Sequence, residues 1–384
     1  MGPLDGYLIL ELASIGPAPF CAMMLADMGA DVIRVDRASG AGEESWNQPA
    51  LDVLNRGRRS ISINLKHSEG VATLLQMVER ADGMIEGYRP GVAERLGVGP
   101  DVCRDRNPKL VYGRMTGWGQ TGPLATTAGH DINYIALAGA LYPIGRADGP
   151  PPPPLNLVGD FGGGGMMLAF GMVCALLEMK GSGRGQVVDA AMLDGAALLT
   201  TMIYGWQAME EWNQERGANL LDGGAPFYDT YETSDGRFVA VGSLESRFYS
   251  ELLDRLGLVE SDLPAQMDRA SWPQMKQFFA DTFRTKTRQE WCDLLEGTDV
   301  CFAPVLTLAE APLHSHNVER GVFTTVAGLV QPAPAPRFDR SRVRAERPPP
   351  LPGQHTREIL ADFGYSESER ATLLAVGAVR EAVI

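Results

Sequence analysis

Short apolar runs alternate with helix-length segments from the amino end of this chain, and that alternation limits its fold more than any other feature. Leu8 to Leu12 reads as a strand, a glycine-proline loop follows, Ala18 to Met28 reads as a helix and Asp31 to Val35 as a second strand. The order returns with a strand near Ser60 to Leu65, a helix from Ser68 to Arg80, and strands at Gly83 to Glu86 and Leu110 to Met115. Parallel strands need crossover connections, usually helices, so the pattern predicts an α/β fold with a mostly parallel sheet covered on both faces. A dinucleotide cofactor does not follow from this. Asp36 stands where a ribose-binding acid would, but Gly16-Pro17-Ala18-Pro19-Phe20 is not G-x-G-x-x-G, and its prolines lack the N–H groups that cradle a pyrophosphate.

Downstream, a helical segment near Ile132 to Leu141 precedes Pro150 to Pro154, a stiff extended connector. The uncharged run Phe161 to Leu177 predicts a buried core helix. It is short for a bilayer, opens on glycines and is bounded by Asp160 and Glu178, so no membrane span is expected. A strand at Gln186 to Asp189 and a helix to about Trp212 follow. Phe227 to Thr233 and Phe238 to Val241, joined by Ser234-Asp235-Gly236, predict a hairpin. Helices are expected near Phe248 to Leu256, Trp272 to Phe283 and Arg288 to Leu295. The chain thus divides into a large domain over 1–224, a smaller α+β domain over 225–330, and a proline- and arginine-rich strap with a C-terminal helix near Thr356 to Phe363, over 331–384, that returns to the large domain.

A chain of 384 residues favours two lobes over one. Its net charge of -14 excludes a general binder of nucleic acid or anionic membranes, so any anionic ligand must meet a local basic patch. The five cysteines show no C-x-x-C spacing and read as buried thiols in a reducing compartment. With no signal-peptide pattern at Met1 to Gly6, the expectation is a cytoplasmic protein. Among the histidines, His67 reads as a solvated helix-start residue, His355 as a helix cap, and His314 with His316 as a pair lacking a third metal ligand, so no metal site is expected.

Two residues stand out for chemistry. His130, in Gly129-His130-Asp131-Ile132-Asn133-Tyr134, opens a helix that then turns apolar, where the field of the helix start disfavours imidazolium and keeps a neutral base available. A hydrogen-bonded structural histidine would look the same in sequence. Asp160 precedes Phe161 and four glycines, Gly162 to Gly165, and suits a helix N-cap. Four glycines at a helix start cost about 1 kcal/mol each relative to alanine. Close approach of a ligand to the backbone, or free N–H groups that hold an oxyanion, would account for them.

These segments, together with Gly16-Pro17, Asp31-Val32-Ile33-Arg34-Val35-Asp36-Arg37, Glu86-Gly87-Tyr88-Arg89-Pro90-Gly91-Val92, Gly113-Arg114-Met115-Thr116-Gly117-Trp118-Gly119-Gln120 and Gly223-Gly224-Ala225-Pro226, resemble in order and along nearly the whole chain the α-methylacyl-CoA racemases of the family III CoA-transferase fold. The resemblance implies a Rossmann-like parallel-sheet large domain, a smaller α+β domain, and two chains linked as rings into an interlocked homodimer. It implies a 2-methylacyl-CoA thioester as substrate, no metal or redox cofactor, and proton transfer through an enolate between His130 on one face and Asp160 on the other. Glu245 is implied as an acid of the small domain near the histidine, and Asn156 and Asp131 as supports. Arg37, Ile63, Asn64, Leu65, Lys66, Gly87, Tyr88, Arg89 and Arg95 fall where the family binds CoA, with Gly129, Ile132, Asn133 and Tyr134 flanking His130 in the substrate site. Two other readings stay open: a transferase of the same fold, whose aspartate at position 160 carries the acyl group without needing His130, and a catalytically silent acyl-CoA binder. The residues do not specify whether the acyl chain is a branched fatty acid, a sterol side chain or a bile-acid intermediate.

Overall fold

Ile9, Leu10, Leu12, Val32, Ile33, Val35, Ile61 and Ile63 are all between 0 and 2% exposed. Strands that bury both faces need cover on both sides, and two separate apolar clusters provide it. The computed structural model describes residues 1–38, 48–258 and 263–382. In it six parallel strands, β1 (Leu8–Leu12), β2 (Asp31–Arg37), β3 (Arg58–Ile63), β4 (Gly83–Glu86), β5 (Val111–Thr116) and β6 (Val187–Ala191), form one sheet. A C-terminal strand, Val379–Arg380, adds antiparallel to β3 at the edge, and the order runs from it through β3, β2, β1, β4 and β5 to β6. Strand order reverses between β1 and β4. Such a switch point opens a crevice at the carboxyl ends of the strands, where α/β sheets bind ligands.

The larger compact unit comprises 1–138, 155–199 and 320–384; the smaller comprises 139–154 and 200–319. This differs from a boundary at 224/225, because 139–154 and 200–224 group with the smaller unit. Arg216 donates to the carbonyls of Arg146 at 2.6 Å and Tyr142 at 3.3 Å, and Arg146 pairs with Asp229 at 2.8 Å. The helix expected to run to Trp212 is two helices, Met192–Leu199 and Thr201–Ala208. In the smaller unit β7 (Tyr228–Glu232), β8 (Phe238–Gly242) and β9 (Phe302–Pro304) form an antiparallel sheet packed on Phe227, Trp272, Phe279, Phe283 and Trp291. The hairpin and its three helices lie where the sequence predicts them.

The glycine run corrects two expectations. Asp160 does not cap a helix: it is the fourth residue of a wide π-helical segment, Leu157–Gly165, which continues into the α-helix Met166–Ser182. Nor do the glycines make room for a ligand. A Cβ at Gly195 would lie 1.8 Å from the Gly163 carbonyl oxygen, one at Gly163 would lie 2.6 Å from the Ala196 nitrogen, and one at Gly165 would lie 2.8 Å from the Pro17 oxygen. The helices Pro17–Asp27 and Met192–Leu199 therefore rest backbone to backbone on the wide turns. The following helix is also only half buried. Leu168, Ala169, Met172, Ala175, Leu176 and Met179 face the sheet, while Phe170 and Leu177 are 68% and 72% exposed.

Charge is buried inside the sheet as well. Glu11 and Arg58, both fully buried, pair at 3.0 Å, and Arg34 bridges Glu11 at 2.9 Å and Asp36 at 3.0 Å. Asp36 also accepts from the Ser60 hydroxyl at 2.6 Å, so this residue is committed to the structure. His355 makes no side-chain cap to its helix; its Nδ1 accepts from the Ser60 N–H of β3 at 3.1 Å. The strap is tied down by single backbone bonds, from Arg342 N to Met1 O and Arg344 N to Asp27 O, each 3.2 Å, and from Gly57 N to Arg347 O at 2.9 Å.

Two identical substitutions should act in opposite directions. Gly195→Ala forces a methyl into the Gly163 carbonyl and should cost about 2–3 kcal/mol by overpacking. Gly181→Ala, in the same unit but facing open space near a helix end, should stabilise by roughly 0.5 kcal/mol through helix propensity. Urea denaturation midpoints of the two variants check the pair.

Candidate active site

Asp160 is held from both ends. Its backbone N–H donates to Asp131 Oδ2 at 2.7 Å, and its Oδ2 accepts from Asn156 Nδ2 at 3.1 Å. Asp131 is buried at the start of the helix Asp131–Leu137, so a carboxylate of one helix fixes the main chain of the other. Burial pushes the Asp160 carboxyl above the ordinary aspartate value; the Asn156 hydrogen bond opposes this, the Asp131 charge adds to it, and His130 opposes it. Gly16, at the carboxyl end of β1, stands over the carboxyl. A Cβ there would lie 3.3 Å from Asp160 Oδ2, and its φ of 71° suits glycine, so the space beside that oxygen stays open.

His130 is the N-cap of the helix Asp131–Leu137, as the sequence predicts, and is exposed. Its N–H donates to Asn133 Oδ1 at 3.0 Å and its carbonyl accepts from Asn133 N at 2.8 Å, which fixes the backbone and leaves the ring at the surface. Asn133 is therefore a capping residue, and Ile132 is 43% exposed beside it. Tyr134 turns inward, where its hydroxyl donates to the Gly129 carbonyl and its ring meets Trp118 edge-on, with centroids 4.7 Å apart. Burial raises the Tyr134 hydroxyl, as does Asp160, while Arg89 lowers it, which puts both charges in its surroundings. Tyr134 buttresses the His130 loop.

The residues expected to hold CoA gather at the same end of the sheet. Arg37 ends β2 near the Tyr88 side chain; burial raises that phenol and Arg37 lowers it. The Tyr88 N–H donates to buried Glu86 at 2.7 Å. Arg89, Arg95 and Lys66 are exposed, and with Arg37 they form no ion pair among the described residues. Ile63, Asn64 and Leu65 have structural work: Ile63 is buried and pairs with Val379, the Asn64 N–H donates to the Ala378 carbonyl at 2.8 Å, and Leu65 packs on the core. Gly87 lies so close to the β1 loop that a Cβ would sit 2.8 Å from Ser14 Oγ. Glu245 belongs to the smaller unit, where it is exposed at the N-cap of the helix Ser246–Arg255.

Among the described residues, Ser14 Oγ, Trp118 Nε1 and Asp131 Oδ1 are buried here without a hydrogen-bond partner. Gly16, Ser14 and Trp118 are absent from the site expected from sequence. Nothing local announces the Gly16–Asp160 approach, which joins segments far apart in the chain. Among the described residues no group of three or more His, Cys, Asp or Glu side chains is arranged to hold a metal ion.

The sequence matches CoA-transferase family III over residues 4–356. It is 49% identical over 368 residues to the mouse protein named alpha-methylacyl-CoA racemase and 46% identical to the human one, covering 95% of this chain and 94% of each relative. Mouse succinyl-CoA:glutarate CoA-transferase is 28% identical, with 99% of this chain and 91% of that one aligned. The fold matches a CAIB/BAIF family protein from Brucella suis with a TM-score of 0.83 at 24% identity, covering 94% of this chain and 99% of that one. Rv3272 from Mycobacterium tuberculosis matches at 0.78 and 26% identity, over the same shares. Since the match takes in β1 to β6, the wide turn that carries Asp160 and the helix opened by His130, the chain belongs to CoA-transferase family III.

Proposed function

We propose that this chain inverts C2 of 2-methylacyl-CoA thioesters by moving one proton between two bases, without a metal or redox cofactor. The observation that carries this reading is the Asp160 carboxyl, raised by burial and held by Asn156, with exposed His130 close enough to act on its charge. The identity of nearly half the residues with proteins named alpha-methylacyl-CoA racemase supports it. A thioester α-proton is weakly acidic, so its removal needs a base on one face, an acid on the other and a stabilised enolate between them. Neutral His130 takes the proton from one enantiomer, and protonated Asp160 returns one to the opposite face. The other enantiomer runs the same steps in reverse. The N–H groups of Asp131 and Ile132, which open the helix after His130, are the donors we assign to the enolate oxygen. The glycine run has no such role, because its backbone is packed against neighbouring helices.

Arg37, Lys66, Arg89 and Arg95 would meet the phosphates of CoA, since cations without an ion pair among the described residues, gathered at the carboxyl ends of the strands, suit them. We further propose an intertwined homodimer, working in the cytoplasm, in which Glu245 of the small domain supports the histidine. The exposed stripe of Met166, Phe170, Val173 and Leu177 along one helix supports a second copy as its cover. Acyl transfer through Asp160 is the second reading within the family. That reaction would use the Asp160 carboxylate alone and has no need of His130, so the histidine at the start of the neighbouring helix favours the racemase reading.

His130→Ala and Asp160→Ala should each lose racemisation by about a hundredfold or more, the range for losing a general acid or base, while CoA esters still bind. Each should still exchange the α-proton of one enantiomer with D2O, because one face keeps its base. Proton NMR of both enantiomers in D2O reads this directly; exchange absent from the unmodified protein would instead favour transfer or simple binding.

The pH profile offers a second test with a defined sign. In the direction where Asp160 is the acid, kcat/KM should fall as pH rises through a value above the usual aspartate range. Asn156→Ala removes a bond that favours the carboxylate and should move that limb to higher pH. Asp131→Asn removes a like charge and should move it to lower pH. Profiles that do not separate in this order would remove Asp160 from the acid role.

A further inference from the structure

In a chain with 48 acidic and 34 basic residues, an arginine without a carboxylate partner needs a reason. Five arginines in and beside the sheet of the larger unit have such a partner: Arg34 and Arg58 with Glu11, Arg56 with Asp27, Arg59 with Asp31, Arg114 with Glu86. Away from the candidate site, one cluster largely lacks such partners. Arg320, Arg337, Arg342 and Arg344 border a single concavity of about 630 Å³ between the hairpin Phe323–Val326/Leu329–Pro332 and the strap. Arg320, Arg337 and Arg342 form no ion pair among the described residues. Arg337 gives one hydrogen bond to the Gly321 carbonyl at 2.7 Å, which aims the guanidinium without neutralising it. The only acid lining the concavity, Glu346, is bound by Arg344 at 2.8 Å. The hydroxyls of Thr324 and Ser341 also line it.

We propose that this concavity binds an anion carrying two or more closely spaced phosphate groups. With Arg344 engaged by Glu346, the three remaining guanidiniums around one hollow repel one another, and a multivalent phosphate relieves that repulsion while matching the planar donor forks of arginine. The backbone bonds that hold Arg342 and Arg344 to Met1 and Asp27 fix their main chain in advance, which lowers the ordering cost of binding. The hollow contains none of the residues assigned to CoA or to proton transfer, so the inference stands whether or not the racemase reading does. The phosphates could be those of a soluble diphosphate or of lipid headgroups, and the experiment separates them.

The full chain is titrated calorimetrically with inorganic pyrophosphate at about 0.15 M salt, where interactions between exposed charges are substantially screened. The same titration is run on Arg337→Gln/Arg342→Gln and on Arg89→Gln/Arg95→Gln. The first double variant should lose affinity by on the order of tenfold to a hundredfold at one site, as expected for losing two charge-assisted contacts. It should keep its racemase activity and circular dichroism. The second variant should retain that site. Vesicles of phosphatidylglycerol, with phosphatidylcholine as control, form the other arm; capture by the former that depends on Arg337 and Arg342 identifies a lipid source, and pyrophosphate binding without capture identifies a soluble one. Absence of both kinds of binding overturns the proposal, as does equal binding by the Arg337→Gln/Arg342→Gln variant. A change in sedimentation confined to that variant also overturns it, because the hollow would then be filled by carboxylates of a second copy.

Discussion

Everything at the candidate site depends on two backbones lying closer together than side chains would allow. With no Cβ at Gly163 and Gly195, the helix Met192–Leu199 settles directly on the wide π-helical segment, and Pro17 and Phe20 press on it from another side. A regular α-helical start would rotate each successive residue by a different angle and carry Asp160 elsewhere. The wide turns, clamped by flanking helices, keep it beside Gly16 and the Asp131 carboxylate. Low helix propensity in this stretch is offset by tertiary packing, the usual way that context overrides local preference.

Charge within the sheet follows the same principle of mutual restraint. Glu11 lies at the heart of β1 with no exposed surface, and only the two guanidiniums of Arg34 and Arg58 make that tolerable. Removing any one member would strand the others in a poorly solvating interior. These pairs contribute less to net stability than to uniqueness of register, because β1, β2 and β3 must align for the groups to meet. The strands so aligned end together and set Arg37, Gly16 and Tyr88 around one crevice.

Strand and helix order were largely legible in the sequence because each element carries its own apolar pattern and punctuation. The parallel sheet, the hairpin of the smaller unit and the capping position of His130 follow from local signals of that kind. The glycine run misled, since a glycine spared for a ligand and one spared for a neighbouring backbone look identical in sequence. His355 misled for a similar reason: a histidine before a helix suggests a cap, while its actual partner, the Ser60 N–H, lies across the fold. The 139–154 segment joins the smaller unit through Arg216 and the Arg146–Asp229 pair, contacts that no linear pattern marks. Gly16 beside Asp160 belongs to the same class of information, long-range proximity.

The edge of the sheet at β3 carries a consequence for how the chain is made. Ser60 and Ser62 offer their N–H groups to His355 and Thr356, and the strand Val379–Arg380 pairs alongside. All three partners emerge from the ribosome long after β3. Throughout synthesis of the intervening residues, β3 has an open row of donors and acceptors, with Arg58 and Arg59 as its charged gatekeepers against pairing with other nascent chains. Completion of the sheet therefore waits for segments made long after β3, and until they arrive that edge is open to pairing with other chains.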